Sequence, residues 1–143
     1  MAEHQAREGP LRGGELLTAV SNAMVGLLRE HYGRGPMKAK TYVVDDLLIC
    51  VMRDGLTAID ETLIASGRAD HVLETRREFQ KAMRDRYRAT IERLTGSKVV
   101  AFMSGVHLDP DILTEIFVLD PPLDLGPGGR AHGGGPDEPG PAE

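Results

Sequence analysis

The sequence predicts an α+β domain, with elements in the order α-β-β-α-α-β-β and a four-stranded, mainly antiparallel sheet packed with helices in two layers. Three observations carry this. Apolar residues at helical spacing run from Glu15 to Tyr32 and stop at Gly33. Two short β-prone runs, Met37 to Val44 and Leu47 to Met52, flank Asp45-Asp46. Two further helical patterns follow, and then a second β-prone pair, Val99 to Met103 and Leu113 to Leu119, so that a hairpin stands at each end of a helical pair.

In the first helix, Leu16, Leu17, Val20, Met24, Leu27 and Leu28 form one stripe, while Ser21, Asn22, Arg29 and Glu30 mark more polar faces. Gly33-Arg34-Gly35-Pro36 ends it: the glycines relieve the backbone, Pro36 forbids further helix, and Arg34 is left as a cation on a tight turn. Asp45-Asp46 between two apolar runs predicts a hairpin turn, a weaker signal than Asn-Gly or Asp-Gly. Leu47 to Met52 is apolar on both faces, which predicts an inner strand covered on both sides by a second helical layer or a partner chain. Asp54-Gly55 closes the hairpin. Thr57 then caps a helix to about Ser66, with Asp60 and Glu61 near its positive end, and Gly67 stops it. One long helix is expected from Asp70 to Thr95, with Gly96 just past its end and a stripe of Val72, Phe79, Met83, Tyr87, Ile91 and Leu94.

A chain of 143 residues forms one domain, expected over 14–120, with a flexible arm at 1–13 and a disordered Gly/Pro-rich acidic tail at 121–143. Of the net charge of −5, the tail from Asp120 carries most: Asp120, Asp124, Asp137, Glu138 and Glu143 face Arg130 alone. The body is nearly neutral, which speaks against a generic nucleic-acid binder. Cys50, the only cysteine, excludes an intramolecular disulfide and a cysteine-based zinc site, and its apolar run predicts a buried, inert thiol. The N-terminus is polar and lacks an apolar signal-peptide core. The longest apolar run, Leu47 to Met52, falls far short of the roughly 20 residues a membrane helix needs. A cytoplasmic protein is expected, peripheral to a membrane only through a partner.

Candidate chemistry is sparse. Glycine-freed amides and Arg34 could hold a small anion, with Arg76 and Arg77 as further cations, but the turn follows a helix C-terminus, where the dipole is negative. Arg77, Lys81, Arg84 and Arg88 share one face of the long helix and could meet phosphates or an acidic partner. No aromatic residue shares that face for base stacking, Phe79 and Tyr87 belonging to the apolar stripe, and neighbouring acids fit a solvated face. The histidines are scattered, without metal-ligand spacing, and Asp109-Pro110-Asp111 fits a turn. No serine has a nucleophile-elbow context. Neither metal, cofactor nor catalytic residue is expected.

Several of these pieces together resemble the MpsC-like family of small bacterial proteins: Gly33-Arg34-Gly35-Pro36; Leu56-Thr57 with Glu61 and Leu63; Arg76-Arg77; Thr95-Gly96-Ser97-Lys98-Val99; and Ile116-Phe117-Val118-Leu119. The resemblance covers roughly Glu15 to Leu119. It implies association with a sodium-translocating, membrane-potential-generating system, linked elsewhere to inorganic-carbon uptake. The resulting expectation is a non-catalytic accessory or regulatory domain that acts through protein contacts. It would form a homo-oligomer, a dimer, motivated by the doubly apolar strand, and could meet a membrane-protein partner. The alternative is a module binding a small anion or nucleotide through Arg34 and Arg76 or Arg77.

Overall fold

A computed structural model describes residues 11–33, 38–125 and 131–134. Helix α1 (Gly13–Tyr32) buries Leu16, Leu17, Val20, Met24 and Leu28, the stripe its spacing specifies, and ends at Gly33, whose φ of 78° lets its N–H return to the Arg29 carbonyl. Strands β1 (Lys38–Val44) and β2 (Leu47–Arg53) form the expected hairpin. Its turn works because Asp45 takes a left-handed φ of 56°, a conformation that Asp tolerates better than most residues. Helix α2 (Ala58–Ala65) starts in a full capping box: Thr57 Oγ1 accepts from Asp60 N–H, and Asp60 Oδ2 accepts from Thr57 N–H.

The expected long helix is two. Helices α3 (Ala69–Ala82) and α4 (Arg84–Thr95) meet at Met83, whose ψ of −1° breaks the regular path. Hydrogen bonds continue across the break, from Met83 N–H to Phe79 O and from Tyr87 N–H to Met83 O, both 2.9 Å. The break lets the halves serve different neighbours. Both pack on the strand that follows the helices, but α3 also meets α2 whereas α4 reaches α1. No proline or glycine announces it.

Strands β3 (Lys98–His107) and β4 (Ile112–Asp120) form the second hairpin, with a bulge between Val99 and Ala101. A short fifth strand, β5 (Ala131–Gly134), pairs antiparallel with β1 and gives the order β3-β4-β2-β1-β5. The sheet therefore has one strand more than the four expected, drawn from the segment whose composition predicts disorder. Ladder pairing uses backbone groups, so a glycine-rich segment can join an open edge without any apolar side chain.

One core cluster joins Leu17, Met24, Tyr87 and Ile91 of the helices to Leu48, Cys50, Phe102 and Phe117 of the sheet. The inner face of the sheet thus meets the helices in two layers. Phe117 lies at its centre, fully buried and stacked on Phe102 at 4.8 Å, with Tyr87 edge-on to Phe102 at 6.1 Å. Phe117→Ala is expected to lower unfolding stability by about 3–5 kcal/mol, read as a reduced urea midpoint at unchanged slope.

Candidate functional site

Strand registers and burial alternation place the outer-face residues in cross-strand rows. The first row is Ala101, Val118, Leu47 and Val44; the second is Met103, Ile116, Ile49 and Tyr42. Gly105, Thr114, Val51 and Lys40 make the third, then His107, Ile112, Arg53 and Lys38 the fourth. Across β3, β4, β2 and β1 the first two rows are apolar except for the Tyr42 hydroxyl, and β5 continues the second row with His132 as the register partner of Tyr42. None of the residues in these rows belongs to the core cluster, and Tyr42, Val44 and Met103 are 37%, 37% and 49% exposed. Leu47, Ile49 and Val51 are only half-buried, whereas Leu48, Cys50 and Met52 on the same strand are buried. β2 is the central strand that its sequence demands, covered among the described residues on one side only.

On the inner face, two polar clusters tie helices to the sheet and its loops. Arg76, 2% exposed, donates from Nη2 to Gly55 O at 2.9 Å and to Asp60 Oδ2 at 2.6 Å, and its guanidinium lies 4.6 Å from the Tyr32 ring centre. One cation thus joins α1, α2, α3 and the end of the first hairpin. Burial pushes the Asp60 carboxyl up, but its Thr57 and Arg76 hydrogen bonds and the Arg76 charge outweigh this and leave it below the usual carboxylate range. The Tyr32 hydroxyl is buried without a hydrogen-bond partner, and desolvation raises its pKa.

The second cluster surrounds Glu115, fully buried on β4. Gln80 Nε2 donates to Glu115 Oε2 at 2.9 Å and to Gly105 O at 3.1 Å, and Ser104 Oγ donates to Glu115 Oε1. Desolvation dominates over these hydrogen bonds and pushes the carboxyl up to about 7. Cys50, its cross-strand neighbour, is pushed up to about 12 by burial, the inert thiol its apolar run predicts.

Among the described residues, the cations singled out by sequence are not brought together. Arg34 lies outside the described residues. Arg76 is turned inward and consumed by Asp60 and Gly55, whereas its neighbour Arg77 is exposed. On the basic helix face, Lys81 pairs with Glu78 at 3.3 Å, Arg84 stacks over Phe102 at 5.2 Å, and Arg88 donates to Val99 O at 2.9 Å. The face is split by the break at Met83, and its second half is engaged with β3. A cleft of about 590 Å³ opens between α2 and the β3–β4 loop, lined by Asp54, Leu56, Glu61, Ile64, Asp109 and Asp111 among others. Asp111 there accepts from Leu56 N–H at 2.8 Å, which ties the loop to the first hairpin. Among the described residues, no group of three or more His, Cys, Asp or Glu is placed to hold a metal ion, and no helix is long and apolar enough to cross a membrane.

Sequence reasoning missed Arg76, Gln80 and Glu115 as buried anchors. Their signal was positional: Arg76 and Gln80 sit at successive i+4 steps from buried Val72, and Glu115 alternates with Leu113, Phe117 and Leu119 on the inner face.

The sequence model of a family described as "Na+-translocating membrane potential-generating system (MpsC)" matches residues 12–121. No match is found among curated proteins or among solved structures.

Two outcomes follow from the polar clusters. Glu115 binds its proton more tightly folded than unfolded, so its stabilising contribution is complete below about 4.5 and is lost as pH rises towards about 7. Glu115→Gln is expected to flatten this loss, raising stability relative to wild type at pH 8 by at most about 3 kcal/mol, measured by urea unfolding at pH 5 and pH 8. Asp60 titrates with the opposite sign: its contribution is present above the ordinary carboxylate range and is lost on acidification through its lowered pKa. Arg76→Met is expected to cost of the order of 2–4 kcal/mol at pH 7, with a smaller difference from wild type at pH 3.

Proposed function

The chain belongs to the MpsC family, and from that premise we propose that it is a non-catalytic accessory or regulatory component of a sodium-translocating, membrane-potential-generating system, acting through protein contacts. The observation that carries this is the apolar outer face of the sheet, which no helix among the described residues covers. Rows of Val, Leu, Ile, Met and Tyr side chains spanning four strands form a contiguous apolar surface, which soluble monomers seldom expose. No helix of the described residues is suited to span a membrane, so translocation itself belongs to other components of such a system. The family description supplies the membrane context, and the sheet face supplies the means of docking.

Self-association is the form of contact this surface favours. A homodimer would cover the outer side of β2 and give that strand the two apolar environments its sequence calls for. Engagement as a cytoplasmic subunit, peripheral to the membrane through a partner protein, is the setting consistent with the family description. The small-anion alternative has less support, because Arg76 is already satisfied inside the fold.

The test is Ile49→Asp, which places a charge at the middle of the second apolar row. Sedimentation equilibrium of the wild-type chain should show a dimer at micromolar concentration, and Ile49→Asp should weaken it at least about 100-fold while leaving the thermal unfolding curve cooperative. A wild-type dimer that Ile49→Asp leaves intact would remove the sheet face from the proposal.

A further inference from the structure

The geometry points to Glu115 as a proton-binding latch of the β3 edge: α3 and β3 close over its protonated carboxyl, and loss of the proton is coupled to local opening of that edge. The inference does not depend on what the outer face of the sheet binds.

Glu115 stands in a polar row on the inner, otherwise apolar face of the sheet. Register places Thr41 of β1 opposite Cys50 of β2, Cys50 opposite Glu115 of β4, and Glu115 opposite Ser104 of β3. Ser21 of α1 joins the row through Thr41 at 2.7 Å, and Gln80 of α3 joins it through Glu115 at 2.9 Å. The two ends of the row differ. Ser21, Thr41 and Cys50 are fully buried, whereas Ser104 is exposed. The short way from water to the carboxyl therefore runs past Ser104.

The groups that face Glu115 are neutral. Ser104 and Gln80 donate to it, Cys50 beside it is held as the thiol by burial, and Tyr87 of α4 is kept as the phenol by burial and by the Glu115 charge. The cations of the adjoining elements are committed elsewhere: Arg76 to Asp60 and Gly55, Lys81 to Glu78, Arg84 over Phe102, and Arg88 to Val99 O. His107 of β3 belongs to the outer face and meets Pro110 O. An ionised carboxylate at this place keeps its two donors but has no counter-charge, so hydration is what relieves it.

Three local features make the β3 edge the place where water enters. β3 is terminal in the strand order, with no strand beyond it among the described residues. Gly105, next to Ser104, weakens the strand because it brings no side chain to pack. Gln80, whose amide bonds both Glu115 Oε2 and Gly105 O, lies in the last turn of α3, just before the break at Met83. The helix end that it pins can therefore move independently of α4. Releasing Gln80 and residues 104–106 hydrates Glu115 and returns its carboxyl from about 7 towards the ordinary 4.5. Between these values only the open form has given up the proton, so opening grows about tenfold per pH unit and levels off above about 7. Below about 4.5 closure is fully favoured. Met103 of the second outer row adjoins the released stretch, so the opening is felt on both faces of the sheet.

The experiment is amide hydrogen exchange of the full chain, followed by NMR between pH 5 and pH 8, on wild type and Glu115→Gln. Gln reproduces the neutral acid, its carbonyl accepting from Gln80 and its amide donating to Ser104 Oγ. Where reclosing outruns exchange, hydroxide catalysis alone speeds amide exchange about tenfold per pH unit. In wild type, the protected amides of residues 80–82 and 104–106 are expected to gain about a hundredfold per unit up to about pH 7, and about tenfold beyond it. They are also expected to open at lower free energy than the amides of Val20 and Leu48 in the centre of the core. In Glu115→Gln the same amides should follow the about tenfold slope throughout. An about tenfold slope in wild type, an unchanged steep slope in the variant, or a steep slope confined to amides that exchange as slowly as Val20 and Leu48 overturns the latch. Should the variant fail to fold, carbon-13 NMR of the Glu115 carboxyl in wild type decides. Titration near 7 together with the steep edge amides upholds the latch, and titration in the ordinary carboxylate range overturns it.

Discussion

A β-strand that is apolar from Leu47 to Met52 must find apolar surroundings on both sides of its sheet, and the described residues supply only one of them. The inner residues of β2, Leu48, Cys50 and Met52, are buried under the helices, while Leu47, Ile49 and Val51 look out from the opposite face. Everything else is arranged around this asymmetry. α1 and α4 commit their apolar stripes to the inner face, so none of them is left to close the outer one. The same strand that organises the core therefore also makes the surface through which the protein meets others.

The inner layer is held in place by polar anchors as well as by packing. Arg76 gathers a helix cap, a hairpin end and an aromatic ring around one guanidinium, and Gln80 fastens the next turn of the same helix to Glu115. Buried polar groups of this kind contribute little when satisfied but are costly when broken, so they fix position more than they add stability. Their effect here is to hold α3 in one register over β3 and β4. The break at Met83 then lets α4 turn towards α1 without disturbing those bonds. A rigid inner layer keeps the outer rows of the sheet in fixed register, which an interface built from rows needs.

Much of the architecture was legible because it is written in local periodicity. The first helix, both hairpins, the Thr57 cap and the glycine stops follow from spacing and from turn chemistry at single residues. The break at Met83 was not legible, since Met is a good helix former and the apolar stripe runs through it without a gap in spacing. β5 was not legible either, because its pairing depends on the edge of β1 and not on its own side chains. Of the candidate site, the apolar character of Leu47 to Met52 was visible from the start. The inward turn of Arg76 was not legible for a definite reason: an arginine on a helix appears equally basic in sequence whether it faces water, as Arg77 does, or faces Asp60, as Arg76 does.

By itself, then, the sequence determined the fold class, the element order, the central place of β2 and the membership of a family associated with a membrane system, because each depends on residues close together in the chain or on motifs in fixed order. Only the tertiary structure decided which side of β2 the described helices cover, which charged residues turn inward, and how the outer-face residues line up in cross-strand rows. These depend on strand order, register and the packing of helices on one face, and such long-range relations leave no periodic trace in the chain.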